Sequence, residues 1–211
     1  MIKEHNKIWY ASYGSNLQME RFLCYIRGGQ THGRRDIHEG CRDKNLPEDN
    51  KAYYISSRLY FAKKSGGWNN CGVGFISNTF NDKSQALSRM YLITEEQFVD
   101  VVKQETKYKG NLEINFDECI NKGSLIFKDP SWYGNLIYLG EQNQQPIFTF
   151  TSKEDFSNLI NQPDRNYLKT IIEGIKEVFP FNDTQICDYL VILEGIDGNF
   201  SRGELLDLIN E

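Results

Sequence analysis

The chain has 211 residues, with hydrophobic residues at 39%, aromatic residues at 13% and charged residues at 25%. This is the composition of a globular protein, with 13 Phe and 12 Tyr to fill a core, and it excludes a disordered or fibrous chain. A formal net charge of −5 gives no field that would gather phosphates, so no nucleic-acid partner is expected.

The densest basic cluster, Arg34, Arg35, Arg42 and Lys44, is interleaved with Asp36, Glu39 and Asp43 and reads as a solvated loop of mixed sign. No apolar run reaches the length of a bilayer span, and Met1 to Lys7 lacks the apolar core of a signal peptide. Neither a membrane nor an export route is therefore expected. Cys24, Cys41, Cys71, Cys119 and Cys187 are odd in number and widely spaced, with no Cys-x-x-Cys pair. That pattern points to reduced thiols in a cytoplasmic protein, with neither a disulfide framework nor a structural zinc site.

In chain order, Ile8 to Ser12 reads as a buried strand ended by the turn signal Gly14-Ser15-Asn16. Met19, Phe22, Leu23 and Ile26 then follow helical spacing, with Ser15 or Asn16 as candidate caps and Gly28-Gly29 as the stop. Residues 30 to 51 are polar and aperiodic, either a functional lid or a disordered stretch. Strands are predicted at Tyr53 to Ala62, Gly72 to Ile76 and Leu87 to Ile93. Thr94, with Gln97 three residues on, opens a helix through a capping box.

Leu112, Ile114 and Phe116 alternate as in a half-buried strand. Two further strands, Asn135 to Gly140 and Pro146 to Phe150, flank a polar turn at Glu141 to Gln145. Leu168, Ile171, Ile172, Ile175 and Phe179 then mark a long helical face closed by Pro180. Ile186, Tyr189, Leu190 and Leu193 mark a second helix begun by Asp183, and Ser201-x-x-Glu204 caps a third. No repeat is evident, and strands giving way to helices indicate an α+β class. A single domain over residues 1–211 is expected, with a core at about 8–150 and a C-terminal helical segment at about 163–211.

Two features could carry chemistry. Phe98, Val101 and Val102 form the apolar stripe of the helix opened by Thr94, and Glu105 takes the next core-facing position. Burial disfavours a charged carboxyl group, which makes such a glutamate a candidate acid or base. A solvent-reaching helix end, or pairing with Lys107 or Lys109, is the plainer alternative. The turn Tyr13-Gly14-Ser15-Asn16-Leu17 leads from a strand into a helix, where successive N–H groups can form an anion-binding concavity. It could equally be an ordinary connection.

The run Trp9-Tyr10-Ala11-Ser12-Tyr13-Gly14-Ser15-Asn16-Leu17 resembles the N-terminal signature of the gamma-glutamylcyclotransferase superfamily. Leu59-Tyr60-Phe61, Ser65-Gly66-Gly67-Trp68 and Gly72 to Ile76 resemble a strand pair of that family with its tryptophan-containing link. Met90-Tyr91-Leu92-Ile93 followed by Glu105 is similar to its strand and catalytic-glutamate helix, and Pro163 to Tyr167 to its Pro-Ser-x-x-Tyr segment. Ile171-Ile172-Glu173-Gly174 is also similar, so the matches run from residue 8 to about 176. Two positions depart from the pattern, Thr106 where glycine commonly follows the glutamate and Asp164 where serine is usual.

The resemblance implies a closed or nearly closed mixed β-barrel flanked by helices, with a C-terminal helical extension. It also implies cleavage of a small gamma-glutamyl amide by its own α-amino group, giving 5-oxoproline and a free amine or amino acid. Glu105 would be the catalytic acid/base, with Tyr13, Gly14, Ser15, Asn16, Leu17 and Tyr167 binding substrate. No cofactor and no metal is implied. A non-catalytic binding module on the same fold, or a biosynthetic enzyme that unmasks a gamma-glutamylated amine, are the alternatives.

Other constellations are weaker. His32, His38 and Cys41 match no standard zinc spacing and lack a fourth ligand. Ser15 has no Gly-x-Ser-x-Gly elbow around it, and Gly66-Gly67 lacks the Lys-Ser/Thr ending of a phosphate loop. Trp68 and Trp132 read as core or pocket wall.

Overall fold

The computed structural model of the chain describes residues 7–30, 37–81 and 83–211. In order, the elements are β1 (Lys7–Ser12), α1 (Met19–Arg27), β2 (Gly29–Gln30), β3 (Ile37–His38), β4 (Asp49–Ile55) and β5 (Ser57–Ser65). There follow β6 (Cys71–Phe80), β7 (Ala86–Thr94), α2 (Glu95–Thr106), α3 (Phe116–Lys122) and β8 (Ser124–Ile126). The chain ends with β9 (Asn135–Gln142), β10 (Gln145–Thr151), α4 (Arg165–Val178), α5 (Asp183–Val191) and α6 (Arg202–Asn210). The class is α+β.

Six strands pair in the linear order β4-β7-β1-β10-β9-β8, while β2–β3 and β5–β6 are separate two-stranded sheets. The large sheet is mixed, since β1 runs parallel to β10 and β9 antiparallel to both β10 and β8. Among the described residues no pairing joins β8 to β4, so of the closed or nearly closed barrel implied by the resemblance the hydrogen bonds form a mixed sheet that is not fully closed. Both ends suit an edge. β8 is three residues long, and β4 opens with Asp49, Asn50 and Lys51, whose polar side chains keep water on the ladder.

The chain packs as two compact units. The first comprises Met1–Ala11, Glu20–Lys51 and Met90–Lys153. Its core is aromatic. Tyr10 stacks on Phe150 with ring centroids 5.5 Å apart, and Phe98 of α2 meets Tyr10, Phe116, Phe148 and Phe150. The β9–β10 turn places Asn143 and Gln144 at φ 52° and 66°, the left-handed pair that a tight hairpin requires.

The predicted strand at Leu112 to Phe116 is corrected. Asn115 Oδ1 accepts the Glu118 amide at 3.0 Å, so Phe116 starts a helix instead of ending a strand. A short side-chain acceptor at that point outweighs two alternations of apolar residues. Of the stretch at 30 to 51, the described part is tied down. Arg42 pairs with Asp100 at 3.0 Å, and Gln97 Nε2 donates to the carbonyls of Asp43 and Asn45. Residues 31 to 36, including His32, Arg34 and Arg35, lie outside the described residues, as do Met1 to Asn6.

The second unit comprises Ser12–Met19, Ala52–Arg89 and Glu154–Glu211. The strand expected from Tyr53 to Ala62 divides here, because the chain bends at Ser56 and Ser57 Oγ turns to donate to Ser77 O at 2.7 Å. The C-terminal helices form as predicted. Asp164 caps α4, Asn182 with Gln185 boxes α5, and Ser201 with Glu204 boxes α6. The buried face of α4 is Tyr167, Leu168, Ile171, Ile172, Gly174 and Ile175. Residues 15–17 form their own 3-10 turn and Gln18 is extended, so neither Ser15 nor Asn16 caps α1.

Candidate active site

In the second unit the turn from Tyr13 to Leu17 is closed by its own backbone. Leu17 N donates to Gly14 O at 3.0 Å and Gln18 N to Ser15 O at 3.2 Å. The Leu17 amide thus makes a hydrogen bond within the turn. Tyr13, Asn16 and Leu17 are buried, and Gly14 and Ser15 are half-buried.

The turn rests on α4 through a missing side chain. A Cβ on Gly174 would lie 2.4 Å from the Leu17 carbonyl carbon and 2.5 Å from Gln18 N, so only glycine lets the helix touch this backbone. Around that contact Gln18 Nε2 donates to Glu173 at 2.5 Å, and Met19 N donates to Glu177 at 3.0 Å. Arg89, itself buried, donates to Leu17 O at 3.2 Å and pairs with Glu177.

Tyr167, 150 residues further along the chain than Leu17, reaches the same turn. Its hydroxyl would stand 3.0 Å from a Cβ on Gly14, and it accepts the Gly74 amide proton at 3.1 Å. Trp68 lies against the Tyr167 ring with centroids 4.5 Å apart, and Phe61 meets it edge-on at 6.1 Å. Asp164 places the tyrosine by accepting the amides of Asn166 and Tyr167 at 2.8 and 3.4 Å. It also accepts from Asn69 Nδ2 at 2.8 Å. Aspartate here does the capping that a serine would do, which gives the departure at 164 a conservative physical sense.

In the first unit, α2 carries Phe98, Val101 and Val102 as fully buried residues, and Glu105 follows on that stripe half-buried in the last turn. Its side chain hydrogen-bonds to the Tyr25 phenol. Thr106, where the family pattern has glycine, donates its hydroxyl back to Val102 O at 2.8 Å. The left-handed residue that ends the helix is Lys107, at φ 50°.

No local pattern in the sequence singles out Tyr25, which stands three positions after Phe22 on the buried side of α1. Burial first, then the Glu105 charge, raise its phenol well above the ordinary tyrosine value, with Arg21 opposing. His38 sets its ring 4.0 Å from that of Tyr25. The Cys41 sulfur lies 3.3 Å from Tyr25 O and 3.5 Å from Gln97 O, and its one S–H is shared between these carbonyls. Those contacts occupy two members of the His32, His38 and Cys41 set, and no metal-ligating group occurs among the described residues.

Two solved structures are similar to almost the whole chain. A chain described as "Gamma-glutamyl cyclotransferase" matches at 14% identity and a TM-score of 0.51, over 97% of this chain and 99% of that one. The crystal structure of an uncharacterized protein from Homo sapiens, loc79017, matches at 15% identity and a TM-score of 0.50, over 98% and 99%. This is the gamma-glutamyl cyclotransferase-like fold. No family model matches the chain.

Among curated proteins, "Histone deacetylase 5" of Arabidopsis thaliana is 36% identical over 190 residues, 81% of this chain. The matched stretch is 28% of that protein, so the chain spans under a third of its relative's length. The gamma-glutamyl cyclotransferase-like fold here is thus similar to part of a longer polypeptide. No helix among the described residues is long and apolar enough to cross a membrane.

Proposed function

We propose that the chain is a gamma-glutamyl cyclotransferase-type enzyme that releases 5-oxoproline and a free amine or amino acid from a small gamma-glutamyl amide. The observation that carries this reading is the Tyr167 hydroxyl, placed between the Gly14 turn and the Gly74 amide. Two segments singled out by the resemblance, far apart in sequence, meet within one unit. The likeness to a chain described as "Gamma-glutamyl cyclotransferase" supports the same reading.

In the reaction, ring closure is intramolecular, so much of the proximity advantage is built into the substrate. The Tyr13–Leu17 turn and Tyr167 hold the glutamyl end. Glu105, as the carboxylate, takes a proton from the α-ammonium, and the freed amine attacks the γ-carbonyl carbon. The new ring C–N bond forms, the amide C–N bond breaks, and Glu105 returns the proton to the departing nitrogen. Two protons leave the α-nitrogen and two reach the departing nitrogen, so Glu105 begins and ends ionised. General acid–base work of this kind is worth about 10²–10⁴ in rate. The five thiols are all free, in keeping with a reducing, cytoplasmic setting for the enzyme.

A second reading, a non-catalytic ligand-binding or interaction module, draws support from the similarity to part of a longer polypeptide. A panel of gamma-glutamyl amides with amino acid, dipeptide and alkylamine acceptors separates the two. The enzyme reading expects 5-oxoproline from at least one member, and the acceptor preferred distinguishes a degradative from an amine-unmasking role. Saturable binding of the panel without any 5-oxoproline would overturn the enzyme and leave the module.

A further inference from the structure

Tyr25 is 3% exposed, and Arg21, Gln104 and Glu105 converge on it within the first unit. Arg21 Nη2, one helical turn earlier, donates to the phenol oxygen at 3.3 Å, and its guanidinium lies 5.5 Å from the ring centroid. The phenol hydrogen-bonds onward to the Glu105 side chain. The main chain of the same residue holds the end of α2 as well, because Gln104 Nε2 donates to Tyr25 O at 3.0 Å. Gln104 Oε1 in turn accepts the Gly40 amide at 3.3 Å.

Arg21 has only donors, a phenol has one donor and acceptor capacity, and an ionised carboxylate only accepts. With Arg21 donating to the phenol oxygen, the phenol's own proton is the one it offers to the Glu105 carboxylate. A phenol kept neutral in this setting remains a donor, as its burial beside Glu105 requires.

We infer that Tyr25 is a positioning residue for Glu105, holding one carboxylate oxygen with its O–H while Arg21 fixes the phenol. The inference rests on the reading of Glu105 as the acid/base. Its physical content is orientation. A half-buried carboxylate at a helix end samples several rotamers, and one charge-assisted hydrogen bond to a buried, immobile donor selects among them.

The test has two arms on the full chain. In the first, tyrosine is labelled at 13Cζ, and the Tyr25 resonance, assigned by its disappearance in Tyr25→Phe, is compared at pH 7 between the parent and Glu105→Gln. A displaced Tyr25 signal with the other tyrosines unmoved is expected. An unmoved Tyr25 signal would overturn the inference whether or not the protein turns over any substrate.

In the second arm, Tyr25→Phe is expected to lower kcat about 10–100-fold with KM within about twofold, the mark of a misplaced reacting group. Equal activity, or a loss confined to KM, overturns the inference while leaving the enzyme reading intact. A parent without 5-oxoproline release overturns the enzyme reading, and the labelled resonance still decides the contact. Should Tyr25→Phe fail to fold, Arg21→Lys, which keeps the charge but not the planar fork, takes its place with the same expected kcat loss.

Discussion

The Tyr167 hydroxyl accepts the Gly74 amide proton at 3.1 Å, and this one bond ties the first turn of α4 to β6. Because the same oxygen closes on Gly14, the bond also sets the room left beside the turn. Tyr167→Phe keeps the ring against Trp68 and removes the hydroxyl, with the acceptor it offers Gly74. Leaving the Gly74 N–H without it costs about 1–3 kcal/mol. Thermal melting should register that loss, and KM for the best gamma-glutamyl amide should rise several-fold. Unchanged KM and kcat would assign Tyr167 to packing alone.

The contact between Gly174 and Leu17 predicts a stronger and purely steric effect. A methyl at 174 would stand 2.4 Å from a backbone carbon, and backbone yields less than a side chain tip. Gly174→Ala should cost at least about 1–3 kcal/mol, the usual range for overpacking, and should impair binding because the turn itself must move. Gly14→Ala presses on the Tyr167 hydroxyl at 3.0 Å and should raise KM with little change in melting. Equal melting temperatures for parent and Gly174→Ala would show that α4 does not seat on the turn.

Asp164 allows a cleaner comparison. Asp164→Ser retains a side-chain oxygen for the amides of Asn166 and Tyr167, whereas Asp164→Ala removes it. Alanine should cost about 1 kcal/mol and serine only a fraction of that. Denaturant midpoints for the two variants check the order, and a serine variant as unstable as alanine would place the value of Asp164 in its bond to Asn69 instead.

These comparisons also show what the sequence made legible. Caps were readable because their partners lie three residues away, as with Thr94 and Gln97, or Ser201 and Glu204. Helical faces such as Leu168 to Ile175 were readable because the period is local. The strand expected at Leu112 to Phe116 failed because a two-residue period over five positions is outweighed by one Asn cap. Tyr25 is illegible for a different reason. Its meaning lies in Glu105, eighty residues away, and no local pattern announces such a partner. Gly174 likewise owes its meaning to a distant partner, the Leu17 backbone packed against it.

The buried thiols predict how stability falls in alkali. Burial, with Asp100 adding, pushes Cys41 from its ordinary value near 9 up to about 12. Burial does the same for Cys119, to about 12, against an opposing backbone bond from Tyr138. A group raised on folding stays protonated in both states below its unfolded value, so this stability is complete up to about pH 9. Above that the unfolded chain loses protons first, and the contribution is lost as pH rises towards 12. Melting temperature should therefore be level from pH 7 to about 8.5 and fall steadily from pH 9, with Cys119→Ala showing a shallower fall than the parent. An identical slope in the variant would remove Cys119 from the alkaline transition.

Glu105→Gln tests the chemistry most directly. The amide keeps the size of the carboxylate and can still accept the Tyr25 O–H, so the end of α2 should hold its place. It cannot take a proton from the substrate ammonium at neutral pH, and that is the step the reaction needs. Turnover should fall by about 10²–10⁴ while a gamma-glutamyl ligand binds within a few-fold of the parent. The split matters, since loss of both binding and turnover would describe a damaged fold. Calorimetric binding beside a 5-oxoproline assay separates the two quantities in one preparation. Activity within threefold of the parent would remove Glu105 from the mechanism and require another proton carrier.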